Sequence, residues 1–199
     1  MGLDRIEKNR ETILKLFELF PEPRRTQVKK MFDSPLGVEY FTCPASTRKA
    51  YHSCYPGGLA QHSLNVTNYL VKVANALMPG SFTKDKLAFV GLFHDLGKAG
   101  DGHGNRYYEQ NPSQWHREKL GQLYEINPHC LPMPNSERGL YILQKFDIEV
   151  DSDEYLSIRL NDGQYDDTNK SYKMKEPDLA ILVHYADLWA TRQEKNEEE

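Results

Sequence analysis

Two adjacent ionisable residues, His94 and Asp95, end the apolar stretch Leu87-Ala88-Phe89-Val90-Gly91-Leu92-Phe93 and precede Leu96-Gly97-Lys98. An imidazole and a carboxylate at the edge of a buried helix are costly unless they are paired or bind a metal. Alone, the pair also reads as a capped or salt-bridged helix end. Two further intrusions change that reading. His62 interrupts Gly57-Gly58-Leu59-Ala60-Gln61-His62-Ser63-Leu64, and Asp187 closes Leu179-Ala180-Ile181-Leu182-Val183-His184-Tyr185-Ala186-Asp187. Three ionisable intrusions on three buried helices point to one shared centre, in which neutral imidazole nitrogens and anionic carboxylates hold a divalent cation. Adjacent helical residues diverge by about 100°, but His94 and Asp95 can converge on an ion at a helix terminus, where Gly97 is expected to let the backbone turn away.

The order His62, then His94-Asp95, then Asp187, each on a separate helix, resembles the signature of the HD superfamily of metal-dependent phosphohydrolases. The segments Gly-Gly-Leu-Ala-Gln-His-Ser-Leu and His-Asp-Leu-Gly-Lys carry a likeness that runs from about Tyr51 to Arg192. The resemblance implies an all-α HD-domain helical bundle with His62, His94, Asp95 and Asp187 as metal ligands. It also implies two catalytic residues. Asp95, or a neighbouring carboxylate, would take a proton. Lys98 would contact substrate phosphate as a point charge, its alternative role being a cation on the helix C-terminal dipole. Relatives that hold two metals carry extra histidines in the stretches corresponding to Pro134-Asn135-Ser136-Glu137-Arg138 and Arg159-Leu160-Asn161-Asp162-Gly163. Asn135 and Asn161 are poor transition-metal ligands, so one tightly held Zn, Co or Mn ion is expected and an oxygenase is not. A second, loosely held Mg arriving with a triphosphate, at Asp162 or Asp166, stays open.

The implied substrate is a nucleotide, a deoxynucleoside mono- or triphosphate such as dATP. The alternatives are a cyclic-nucleotide or alarmone phosphodiesterase, a nuclease, and a silent nucleotide sensor. Homo-oligomers are common among small relatives, so self-association is a further expectation.

Downstream, Gln114-Trp115-His116-Arg117-Glu118-Lys119-Leu120-Gly121-Gln122-Leu123-Tyr124 mixes aromatic and cationic groups. Trp115 or Tyr124 could stack a base, and Arg117 or Lys119 could hold phosphates, Arg117 in bidentate fashion. The other reading is a lid whose Trp115 closes the core. Of His103, His116 and His129, His116 is the best pocket candidate. His184 shares a helical face with Asp187, either as a partner to a ligand or as an edge contact.

The elements that must position these groups read as helices. Apolar residues recur every three or four positions over Ile6–Phe20, Arg24–Phe32, Gly58–Met78, Lys84–Leu96, Ser136–Phe146, Asp151–Leu160 and Pro177–Gln193. Pro21 and Pro23 part the first two, and Pro79-Gly80 closes the third ahead of a cap at Ser81 or Thr83. Residues 1–199 are expected to form a single domain: N-terminal helices through residue 50, an HD core over 51–192, and a frayed acidic tail over 193–199. Ala99 to Pro134 shows no period and reads as one long functional loop.

Composition narrows the function class. At 39% hydrophobic and 27% charged residues the chain is ordinary for a globular protein, and 199 residues can bury roughly 70% of their unfolded surface. A formal net charge of -4 disfavours nucleic acid as a partner and favours a small molecule. Three cysteines without Cys-x-x-Cys spacing point to a reducing cytoplasm. No apolar run nears the roughly 20 residues of a membrane span, and Ile6 stands where a myristoylation signal at Gly2 would want Ser or Thr.

Overall fold

Apolar spacing sets most of the backbone. The computed structural model describes residues 2–198, running α1 (Gly2–Leu16), α2 (Arg24–Phe32), α3 (Pro35–Thr42), α4 (Gly58–Leu77), α5 (Lys84–Phe93), β1 (Tyr108–Gln110), α6 (Gln114–Lys119), β2 (Tyr124–Ile126), α7 (Asn135–Lys145), α8 (Ser152–Arg159) and α9 (Asp178–Glu198). The fold is all-α apart from one short hairpin. α4 lies at the centre, flanked by α5 and α9. No helix among the described residues is long and apolar enough to cross a membrane.

The N-terminal helices share the core of the helix that carries His94. Phe17, Phe20, Phe89 and Phe93 are fully buried. Phe20 meets Phe89 edge-on at 5.8 Å, and Phe17 lies 6.4 Å from Phe93. Each such side chain contributes about 2–3 kcal/mol by leaving water. The Tyr40 hydroxyl donates to the Leu92 carbonyl at 2.6 Å, fixing α3 against the last turn of α5.

Three expectations need correction. The helix α3 was not expected, although Ser34-Pro35 announces it: Ser34 Oγ accepts from Leu36 N, and Pro35 takes the first helical position. The helix expected over Lys84–Leu96 stops at Phe93. Asp95 leaves helical geometry at φ -111 and ψ 16, and a tight turn covers Leu96–Ala99. The segment from Ala99 to Pro134 is not a loop throughout. In it β1 and β2 pair antiparallel, Tyr108 opposite Ile126 and Gln110 opposite Tyr124, on either side of α6. Strands of three residues are too short to show alternation. α6 starts because Ser113 Oγ accepts from His116 N. Backbone bonds from Tyr124 N to Thr47 O and from Lys49 N to Gly121 O tie this unit to residues 47–49.

Candidate metal centre

α4 and α5 cross closely because Gly91 has no side chain: a Cβ there would sit 2.5 Å from Thr67 Oγ1. This brings His62, in the second turn of α4, beside His94 at the end of α5, with ring centroids 5.3 Å apart. Both imidazoles are fully buried. α9 packs along α4 and supplies Asp187. Gly97 was expected to free the backbone, but it serves close packing instead. A Cβ at Gly97 would lie 2.1 Å from Asn135 O, so its absence seats α7 against the turn that follows Asp95.

The four side chains converge. His62 Nε2 lies 3.0 Å from Asp187 Oδ1 and 3.7 Å from Asp95 Oδ2. His94 Nε2 lies 3.5 Å from Asp95 Oδ2 and 4.0 Å from Asp187 Oδ1. Both Nε2 atoms are buried and neither makes a well-aligned hydrogen bond; their polar neighbours are these carboxylate oxygens. Two orphaned ring nitrogens facing two carboxylates are the donor set a divalent cation would satisfy, and His62, His94 and Asp95 could hold one. The Asp187 side chain, 19% exposed against 6% for Asp95, marks the side open to solvent.

The other ring nitrogens are spoken for, which leaves each Nε2 as the nitrogen that would bind a metal once unprotonated. His94 Nδ1 donates to Gly91 O at 2.9 Å. His62 Nδ1 donates to both oxygens of Glu194 at 3.1 Å. Asn135 Nδ2 donates to Asp95 Oδ1, and Lys98 Nζ donates to Asp95 Oδ2, each at 2.6 Å. Thr191 Oγ1 donates to Asp187 Oδ1 at 3.4 Å. Behind His94, Asn161 Nδ2 donates to the His94 carbonyl at 3.2 Å, and His184 Nδ1 donates to Asn161 O at 2.8 Å. His184 therefore braces the ligand backbone from a distance. Asn135 and Asn161 both hold ligand residues in place.

Electrostatics follow from this packing. Burial opposes the charge on Asp95, but Lys98 and then His94 hold its carboxyl well below the usual range. Burial likewise works against Asp187, yet His62 holds it at about 2. Lys98 is raised by Asp95 despite its burial. Burial alone would lower His62, but the carboxylates of Asp187 and Glu194 prevail and push it up to about 10 in the absence of a cation. A metal must displace that proton, so in chelator-treated protein the affinity for Zn²⁺ should rise by about tenfold per pH unit below this value. The sign for stability is opposite. A pKa raised from 6.5 to about 10 stabilises the stripped fold fully below 6.5 and loses that contribution as pH rises through about 10. Thermal melts of stripped protein at pH 6 and pH 10 should therefore favour pH 6, and an equal or reversed order would contradict the assignment.

Two residues were missed by sequence reasoning. Glu194, expected to lie in a frayed acidic tail, is 4% exposed and faces His62. Its signal was legible: it follows Asp187 by seven residues, two helical turns, on the same face. The rest of the expected fraying falls on side chains 196–199, which lie outside the described residues. His52 is the second. Its ring packs 4.5 Å from that of His62, and its Nε2 is buried without a partner. Burial, then the charges of His62 and Lys98, hold it down at about 3, so it stays neutral. No periodic pattern around Tyr51-His52-Ser53 could have marked it.

The α6 candidates are not joined to the four ligands by any hydrogen bond, ion pair or ring contact among the described residues. Trp115 is exposed, its ring edge-on to His116. The His116 Nδ1 is buried and unpartnered. Arg117 donates to the Asn111 carbonyl, and Lys119 is exposed. His103 lies elsewhere, against Tyr141 and Lys145. A family model described as HD domain matches residues 59–191, a span that contains His62, His94, Asp95 and Asp187. No curated protein and no solved structure matches the chain.

Proposed function

The chain belongs to the HD-domain family and is by that membership a metal-dependent phosphohydrolase, and from this premise we propose that its substrate is a nucleotide, a deoxynucleoside mono- or triphosphate. The observation that carries the hydrolytic reading is the pair of buried, unpartnered Nε2 atoms of His62 and His94 facing Asp95 and Asp187. A single Zn, Co or Mn ion held by these four residues is favoured because Asn135 and Asn161 are engaged in bracing Asp95 and His94. When bound, the metal supplies Lewis-acid chemistry, polarising a phosphoryl oxygen and acidifying water.

The remaining work belongs to the chain. Lys98, fixed on Asp95, sets a positive charge beside the centre for a substrate phosphate. Asp95 is held ionised, which suits a ligand better than a proton acceptor. The neighbouring Asp162 is raised by its enclosure and then by the charge of Asp95, and this matches it better to proton transfer. Trp115, His116, Arg117 and Lys119 would meet the base and outer phosphates, with Arg117, which bonds the Asn111 carbonyl, turning to the phosphates. An Mg ion carried in with a triphosphate would fall to Asp162 or Asp166.

The test is a hydrolysis screen of deoxynucleoside mono- and triphosphates, a cyclic dinucleotide, an alarmone and single-stranded DNA with Co²⁺, Mn²⁺, Zn²⁺ or Mg²⁺. Release of phosphate or tripolyphosphate from the mononucleotides is expected. Turnover confined to any other substrate would move the reading to that class, and no turnover at all would end it.

A further inference from the structure

A histidine that binds a metal through one ring nitrogen needs its other nitrogen protonated and held, since a flipped or wrongly tautomeric ring offers no lone pair. The two histidines of this centre meet that need differently. His94 uses Gly91 O, a carbonyl one turn back in its own helix. His62 uses Glu194, a carboxylate 132 residues distant in sequence.

Glu194 is built into that position. Its Oε2 accepts from Ser53 Oγ at 2.8 Å, its Oε1 accepts from Asn65 Nδ2 at 2.8 Å, and both oxygens face His62 Nδ1. No Lys or Arg pairs with it among the described residues, so the His62 ring is the charge complement of a carboxylate that is 4% exposed. Isolated burial of a carboxylate is costly, and a purely structural role would be met as well by an apolar residue. The same helix carries Asp187 two turns earlier, about 10.5 Å along its axis. Docking of α9 on α4 thus delivers one ligand and the orienting partner of another in a single step.

We propose that Glu194 is a positioning residue of the metal centre, acting through His62 Nδ1 to present Nε2 to the cation, so that the site extends along α9 from Asp187 to Glu194. The inference rests on the metal-centre reading above. It predicts that Glu194→Gln, which keeps the shape and one acceptor oxygen but loses the charge, weakens Zn²⁺ affinity by about 10- to 100-fold.

The test uses the full chain. Chelator competition gives the Zn²⁺ dissociation constant of the wild type and of Glu194→Gln, nitrogen chemical shifts of the His62 ring in the Zn²⁺-loaded proteins report whether Nε2 is the bound nitrogen, and a thermal melt of the stripped proteins reports the fold. Weaker binding per folded molecule with partial loss of Nε2 coordination supports the proposal, alongside the small drop in the stripped melt that losing the His62–Glu194 charge pair brings. Asn65→Ala, which removes one bond holding the carboxylate, should act in the same direction by a smaller factor and serves if Glu194→Gln does not fold. Wild-type-like affinity in the variants overturns the proposal alone. A melt that drops while affinity per folded molecule is retained assigns Glu194 a structural role and overturns it too. A wild type that takes up no Zn²⁺, Co²⁺ or Mn²⁺ overturns the metal-centre reading, and this inference with it.

Discussion

His94→Ala should lower phosphohydrolase turnover by about a thousandfold or more and strip the metal, while leaving the helical circular dichroism of the wild type. The rate estimate comes from several kcal/mol of transition-state stabilisation supplied by a metal, at about 1.4 kcal/mol per tenfold. The fold should survive at reduced stability, because the change opens a cavity at a fully buried ring but removes few bonds. Its Nδ1 bonds only to the Gly91 carbonyl, worth about 1 kcal/mol net, and its Nε2 has no protein partner. The same change at His62 would be less clean, since it would also strand the buried Glu194. Metal content by elemental analysis and turnover on the best substrate of the screen are the two measurements. Wild-type turnover with unchanged metal content would remove His94 from the site.

Arg24→Met should destabilise the chain by about 3–5 kcal/mol, the range for breaking a buried ion pair on one side only. Arg24 grips Glu154 through Nη1 at 2.7 Å and Nη2 at 2.9 Å, bonds the Glu149 carbonyl at 2.8 Å, and lies 4.4 Å from the Phe89 ring centre. Glu154 is 1% exposed and also closes a capping box with Asp151 at the start of α8. Truncating Arg24 leaves a buried carboxylate without its cation. At 2–4 °C per kcal/mol for a chain of this size, the melting temperature should fall by roughly 10 °C. This contact joins α2 to α8 and sits over the phenylalanine core shared with α5. The expected denaturation profile is therefore one transition displaced as a whole, the outcome that would support the expectation of a single domain. Two separated transitions, or a loss below about 1 kcal/mol, would instead detach the first 50 residues from the rest.

Much of the site was legible because charge inside an apolar helix is conspicuous. His62, His94-Asp95 and Asp187 each stand in a stretch whose other residues belong to the core, and burial without a partner is costly enough to demand an explanation. Glu194 failed the same reading because the glutamates after it made the whole segment look solvated, although its register with Asp187 was present. The short elements were missed for a different reason. α6 and the two strands span six and three residues, below the length at which periodicity is measurable, and they are held by pairing with residues 47–49.

Residue type and spacing by themselves determined that the chain is helical and where most of its long helices lie, and they flagged His62, His94, Asp95 and Asp187 as ionisable intrusions in apolar stretches, because amphipathic period and buried charge are properties of local sequence. Only the tertiary structure decided how those four are held. Glu194 fixing His62, Asn135 gripping Asp95, and Asn161 with His184 bracing His94 are pairings across tens of residues. They arise from where α4, α5, α7 and α9 cross, and those crossings depend on the missing side chains of Gly91 and Gly97, whose effect is felt only when two helices meet.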